Sequence, residues 1–430
     1  AVISLFHVVS YQTTDDDAAA IFATATEHLR PGGLFLFDIW YGPAVLSQQP
    51  AVRVKRMQNE QIAVTRTAEP MLHPNANVVD VHYEIFATDL ATGRIERIEE
   101  DHSMRYPVNT PDIGPREREL VAQCLAEGWV SSEGPWIERF EAACANRFGR
   151  RHAIAVTNGS AALDAAVAAL GLGPGDEVIV PSYTFVATAS AVALVGAVPV
   201  FVDIQPSTYN IDPDSVEAAI TPRTRAIIAV HIAGRPADLD RLTALAKKHD
   251  IRLIEDAAQA HAAAWKGQRV GAIGDLGTFS FQASKNLNAG EGGFITTSNS
   301  ELAQRAWSLH NCGRSPEGAW YEHPLIGGNY RLGEFQAGLL LSQLKSLDEL
   351  AERRSRNGEA LGNAIEGIEG IDTTEPDERI TTHAYHLFVM RYSAAAFNGL
   401  SRDHFIEALN AEGIPCSAGY RPLYGEPAFT

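Results

Sequence analysis

Between Ala153 and Glu255 short apolar runs alternate with helix-like stretches, and few folds accommodate that rhythm. The runs Ala153–Val156, Glu177–Val180, Val198–Val202, Ala226–His231 and Arg252–Glu255 have strand length. Helical patterning fills the gaps, at 160–170, 184–195, 214–220 and 238–249. Continuous apolar runs suit strands covered on both faces, and the helices between them supply crossovers. The pattern therefore predicts an α/β fold with a mostly parallel sheet and helices on both faces. A long helix from about Leu332 to Ile365 is expected to lead out of this sheet. A smaller α+β lobe should follow at 380–430, with a strand His386–Arg391 and a helix Arg402–Glu412.

Residues before Pro107 follow a different pattern. An apolar strand is expected over Ala1–Val9 and a helix from Asp17 to Leu29. The turn Arg30–Gly33 then enters a strand Leu34–Ile39, and Val78–Ala87 reads as a strand of the same sheet. The segments FHVVSY (6–11) and LRPGGLFLFD (29–38) resemble the back half of a class I S-adenosylmethionine-dependent methyltransferase. The resemblance implies a partial Rossmann-like fragment. The glycine-rich loop and the ribose-binding acid of that family have no counterpart here, so binding of S-adenosylmethionine is not expected. A plain helix-to-strand turn explains Pro31–Gly33 equally well. The expected organisation is 1–106, a large domain over 107–350, and a small domain over 351–430 that is expected to be truncated.

Charge and composition narrow the partners. A net charge of −18 argues against nucleic acid and against an anionic membrane surface. No apolar run approaches the ~20 residues that span a bilayer. Cys124, Cys144, Cys312 and Cys416 are scattered with no CxxC pair, which suits reduced thiols in the cytoplasm and gives no metal motif.

Three segments carry chemistry, and each sits where a strand ends. Open α/β sheets bind ligands at such ends. In TNGSAAL (157–163) a strand passes through glycine into a helix. The free N–H groups of that helix start could hold a phosphate with help from the Ser160 hydroxyl, or Ser160 could simply cap the helix. In LIEDAAQ (253–259) Asp256 follows an apolar strand and is expected to be shielded. A buried carboxylate needs a donor or cationic partner. A structural turn-capping aspartate is one reading, and partnership with a pyridinium nitrogen is the other. At ~4 Å and an effective dielectric of 20 that attraction is about 4 kcal/mol. The third segment is SFQASKNLNAGEGG (280–293), where Lys285 stands between an apolar strand and a glycine-rich loop. The chain has six lysines, and the other five (Lys55, Lys247, Lys248, Lys266, Lys345) lie in polar contexts. Desolvation favours the neutral amine, a nucleophile able to form a Schiff base with an aldehyde cofactor.

Together with GLGPGDEVIVPSYTFVAT (171–188), EDAAQAH (255–261) and GNYRL (328–332), these segments resemble the DegT/DnrJ/EryC1/StrS family of sugar aminotransferases over about 107–430. The resemblance implies a fold type I pyridoxal 5′-phosphate-dependent transferase with a seven-stranded sheet. It implies Lys285 as the Schiff-base lysine and Asp256 as the pyridinium partner. It implies Gln259 at the cofactor's ring hydroxyl and Phe185 on its ring face. Gly159, Ser160 and Ser280 would take the phosphate, Ala161 would belong to the same cofactor site, and Asn329 would reach the phosphate of the neighbouring subunit in a homodimer with shared sites. The implied activity moves an amino group from glutamate or glutamine to a keto-sugar, nucleotide-linked, or to a keto-cyclitol. Gln282 stands where many sugar-nucleotide members have histidine, and with GIPCSAGY (413–420) it looks more like members that act on keto-cyclitols. Family members usually continue some tens of residues further. Two other readings stay open: an intact parent that is a bifunctional methyltransferase–aminotransferase, and a cofactor-binding regulator without turnover.

Overall fold

The computed structural model describes residues 2–4, 35–37, 52–58, 61–73, 78–105, 113–319, 321–411 and 414–429. Contacts divide the chain into two compact units, 1–112 with 403–418, and 113–402 with 419–430.

In the first unit β1 (Val2–Ser4) pairs in parallel with β2 (Phe35–Phe37). The helix expected over 17–29 lies outside the described residues. Four further strands, β3 (Arg53–Gln58), β4 (Ile62–His73), β5 (Val78–Asp89) and β6 (Ile95–Arg105), form an antiparallel meander. This corrects the expectation that Val78–Ala87 joins the sheet of the first strands. The reason is local. Asp89 accepts hydrogen bonds from the N–H groups of Ala91 and Thr92, at 2.9 and 2.8 Å, and turns the chain straight back. Strands joined by tight turns pair with each other in antiparallel fashion, whereas parallel pairing needs a longer crossover.

The second unit opens with two helices, α1 (Pro115–Ala126) and α2 (Pro135–Phe148). Strand and helix then alternate as β7 (His152–Val156), α3 (Gly159–Ala169), β8 (Glu177–Pro181), α4 (Ala187–Leu194), β9 (Val198–Val202), α5 (Pro213–Ala219), β10 (Thr224–Val230), α6 (Leu239–His249) and β11 (Arg252–Asp256). A short hairpin, β12 (Ala264–Trp265) and β13 (Gln268–Arg269), precedes β14 (Leu276–Ser280), β15 (Gly293–Thr297) and α7 (Ser300–His310). The sheet order is β7-β15-β14-β11-β10-β8-β9. β15 runs against both neighbours and the other adjacent pairs are parallel. One face packs Phe140, Phe148, Phe279, Phe281 and Phe294, with Phe279 stacked on Phe294 at 4.3 Å. The other face packs alanine and branched aliphatic residues such as Ala162, Val178, Ile254 and Ile295. Burying each large side chain contributes about 1.5–3 kcal/mol.

Past the sheet the expectations need correction. The single helix over 332–365 is two, α8 (Glu334–Gln343) and α9 (Leu347–Ile365). Leu344 and Leu347 on either side of the break are both buried, and a turn at Lys345 and Ser346 lets both reach the core. In place of a strand at 386–391 three short ones form, β16 (Ile371–Thr373), β17 (Ile380–Thr382) and β18 (Met390–Tyr392). β18 pairs with β16, and β17 pairs with β12. The last helix, α10, covers Arg402–Ala411.

Candidate active site

The three chemistry-bearing segments follow the C-terminal ends of β7, β14 and β11, on the same side of the sheet. β7 ends at Val156 and the chain enters α3. The cap of α3 is Asn158, whose Oδ1 accepts the Ala161 N–H at 2.8 Å. Capping therefore leaves the Ser160 hydroxyl exposed and unused. The Ala161 amide is engaged by the cap, so the amides of Gly159 and Ser160 remain for an anion. Gly159 is required by packing. A Cβ there would lie 2.6 Å from the Ser280 Cβ and 3.1 Å from its Oγ. Its absence brings the Ser280 hydroxyl, at the end of β14, against the start of α3.

Asp256 closes β11 and is 5% exposed. Thr188 of α4 donates its hydroxyl to Oδ2 at 2.9 Å, and the Ala258 N–H reaches Oδ1 at 3.2 Å. Thr184 stands 3.2 Å behind Thr188, hydroxyl to hydroxyl. Burial raises the Asp256 pKa above the ordinary carboxylate value, against these bonds and the Lys285 charge. Lys285 follows β14, the strand paired with β11. Burial lowers its pKa, and the Asp256 charge offsets part of that.

The loop holding Lys285 is tied down along its length. The Phe281 N–H donates to the Gly292 carbonyl at 2.7 Å, and the Lys285 N–H to the Gln282 carbonyl at 2.8 Å. The Asn286 amide donates to the Ala384 carbonyl at 2.8 Å. Gln282 is turned inward on its own loop, its Oε1 accepting both the N–H and the hydroxyl of Ser284.

Gln259 accepts the Ala233 N–H at 2.6 Å and donates to the Tyr420 hydroxyl at 2.9 Å, which leaves one amide hydrogen for another partner. Phe185 lies in the loop between β8 and α4 and is 55% exposed, so its ring face is open. Asn329 is exposed on a loop anchored beside the start of α3. There the Thr157 N–H donates to the Tyr330 carbonyl at 2.7 Å, and Arg331 holds Asn311 and Ser132 at 2.9 Å each.

Several residues around the site escaped the sequence reading. Thr188 and Tyr420 lie within the segments that carry the family resemblance, yet nothing local marks them as neighbours of Asp256 and Gln259. The Tyr183 hydroxyl accepts the Tyr420 N–H at 3.1 Å and ties the chain's last segment to the β8 end. His261 is buried with neither ring nitrogen bonded, among Phe279, Phe281 and the Lys285 loop. Burial first, then the charges of Lys285 and His386, push its pKa down to about 3, so the ring is neutral.

The arrangement combines an amine of lowered pKa, a shielded carboxylate, an anion-binding helix start with a nearby hydroxyl, and an open aromatic face. These residues fit pyridoxal phosphate, with Gly159, Ser160 and Ser280 suited to its phosphate. Among the described residues no cluster of three or more His, Cys, Asp or Glu side chains could hold a metal ion. No described helix is long and apolar enough to cross a membrane.

The model of the DegT/DnrJ/EryC1/StrS aminotransferase family matches residues 111–430. A protein of Streptoalloteichus tenebrarius, provisionally named L-glutamine:3-amino-2,3-dideoxy-scyllo-inosose aminotransferase, is 42% identical over 339 residues, covering 75% of this chain and 81% of its own. GDP-perosamine synthase of Caulobacter vibrioides is 40% identical over 327 residues, covering 76% and 87%. The crystal structure of 3-amino-5-hydroxybenzoic acid synthase superposes with a TM-score of 0.71 at 37% identity, covering 75% of this chain and 84% of that one. None of these matches carries the methyltransferase likeness of residues 1–106.

Proposed function

The chain belongs to the DegT/DnrJ/EryC1/StrS aminotransferase family, and from that premise we propose that it transfers an amino group from glutamate or glutamine to a keto-sugar or a keto-cyclitol, with Lys285 and Asp256 as the catalytic pair. The observation that carries the residue assignment is the placement of these two groups at the ends of adjacent strands, each within reach of the other's charge.

Bound pyridoxal phosphate supplies the electron sink that lets the donor's Cα release a proton. The Asp256 carboxylate would hold a proton on the pyridine nitrogen, an interaction that burial would strengthen. Lys285 Nζ, whose pKa desolvation lowers, would take the Cα proton and return it on the other side of the transfer. The Gly159 and Ser160 amides, with the hydroxyls of Ser160 and Ser280, would hold the phosphate. Phe185 would cover the ring, and the free amide hydrogen of Gln259 would orient its hydroxyl. Asn329, exposed beside α3, is assigned to the partner's cofactor in a homodimer.

The acceptor follows from two supports. By their names, one relative is an aminotransferase of L-glutamine and an amino-dideoxy-scyllo-inosose, and another makes GDP-perosamine. The inward-turned Gln282 and the segment ending in Gly419 and Tyr420 favour the cyclitol. A panel of inososes and keto-sugar nucleotides, each assayed with both donors, tests this. Amination of an inosose with glutamine is expected. Exclusive amination of a sugar nucleotide would reverse the substrate assignment.

A further inference from the structure

We propose that a cleft on the unit formed by residues 113–402, outside the Lys285 site, binds a zwitterionic α-amino acid. The cleft measures about 380 Å³ and lies between the turn at 232–235, α9, and the segments 373–376 and 383–389. That volume falls in the usual range for small-molecule sites.

Its floor is Arg235, only 6% exposed. Among the described residues its guanidinium makes no ion pair, and its Nε is buried without an acceptor. Asp377, the acid that acts on it most strongly, is already committed to Arg379 by bonds of 2.9 and 2.8 Å. A buried guanidinium that makes no ion pair is costly and points to an anionic ligand group.

The rim has the opposite sign. Glu359 of α9 and Glu375 are exposed, line the cleft, and have no side-chain partner among the described residues. Tyr385 stands between the two signs, acted on by both Glu359 and Arg235. Its ring stacks on His383 at 3.8 Å and fits because residue 358 is glycine. A Cβ there would lie 2.6 Å from the ring. Ile232, Leu387 and Phe388 supply an apolar wall.

A cation at the floor, carboxylates at the rim and an apolar wall match a carboxylate and an ammonium on one carbon with an uncharged side chain. A phosphate or a dicarboxylate would meet Glu359 and Glu375 in repulsion, and a simple amine would leave Arg235 unpaired. The cleft also shares a wall with the catalytic site. His383, Tyr385 and Leu387 line it, while His386 between them feels the Lys285 charge.

The test uses holoenzyme reduced with borohydride, so that amines cannot exchange at Lys285. The probe is 2-aminoisobutyrate, an α-amino acid with no Cα hydrogen. Calorimetric titration is expected to show saturable binding. Isobutyrate, lacking the ammonium, and isopropylamine, lacking the carboxylate, should each bind at least about tenfold more weakly. Arg235→Gln should abolish the signal. The variant Glu359→Gln, at an exposed position, should weaken binding at least about threefold, with thermal melting confirming that both variants fold. Absence of saturable heat, equal binding of isobutyrate, or unchanged binding in folded Glu359→Gln would overturn the proposal. The probe cannot transaminate, so the outcome is independent of the catalytic assignment.

Discussion

Glu255 and Asp256 follow one another on β11, so their side chains leave the sheet on opposite faces. Both are buried, yet their surroundings differ. Glu255 accepts the N–H groups of Gly271, Ile273 and Gly274 at 2.7, 2.7 and 2.6 Å, and meets His231 Nε2 at 3.1 Å. The other nitrogen of His231 accepts the Ala237 N–H, so Nε2 is the donor toward Glu255. Burial works against the Glu255 charge, but the bonds from His231 and the backbone prevail, and its pKa is lowered. Asp256 has one hydroxyl and one backbone donor, and its pKa is raised. A carboxylate saturated by its own chain serves the fold. One left short of donors beside a lysine of lowered pKa is available to a ligand.

Exchanging charge for amide at each position separates the two roles. Asp256→Asn should lower the transamination rate at least about a hundredfold, roughly 3 kcal/mol in barrier, because an amide cannot hold the pyridinium proton as a carboxylate does. Cofactor retention and melting temperature should stay near those of the parent. Steady-state kinetics and calorimetry check both halves, and near-normal turnover would break the comparison. Glu255→Gln should act the other way. The amide has a single acceptor oxygen for several donors, and the loss should be about 2 kcal/mol of stability, read from the urea midpoint.

Acid titration sharpens the contrast. Glu255 has a folded pKa below its unfolded value, so its contribution is present above about 4.5 and lost as pH falls through the folded pKa. The Glu255→Gln deficit should therefore be full at neutral pH and shrink in acid. Asp256, raised above 3.8, has the opposite sign. In cofactor-free protein its contribution is present in acid and lost as pH rises through the folded pKa, so Asp256→Asn should be neutral or stabilising near pH 7. Urea midpoints measured across pH for both variants decide this. The smallest effect is expected at Asn329. Asn329→Ala should weaken cofactor affinity a few-fold, about 1 kcal/mol, through the partner's site. A fully active monomer in sedimentation at assay concentration would remove that role.

The legible parts of this molecule were those written in local pattern. The β/α alternation could be read because strands covered on both faces are continuous apolar runs. Lys285 and Asp256 stood out because each ends such a run. Helix boundaries were less accessible. Asn158 and Ser160 can both cap, and which one does so depends on where the first turn of α3 closes. The break between α8 and α9 contains neither glycine nor proline and arises from burying Leu344 and Leu347 together. Contacts made by folding were invisible. Thr188 meets Asp256 across 68 positions, and Gln259 meets Tyr420 across 161. The methyltransferase likeness of residues 1–106 rested on a short turn motif, and the meander β3–β6 shows how little such a motif constrains the segment after it.

The central claim is that Lys285 is the amine that holds the cofactor and moves the proton. Borohydride reduction of the holoenzyme followed by peptide mapping tests it directly. The cofactor label is expected on the peptide carrying Lys285, with no label in Lys285→Ala, which should also fail to exchange an amino group with glutamate or glutamine. A label on Lys55, Lys247, Lys248, Lys266 or Lys345, or amino transfer retained in Lys285→Ala, would contradict it.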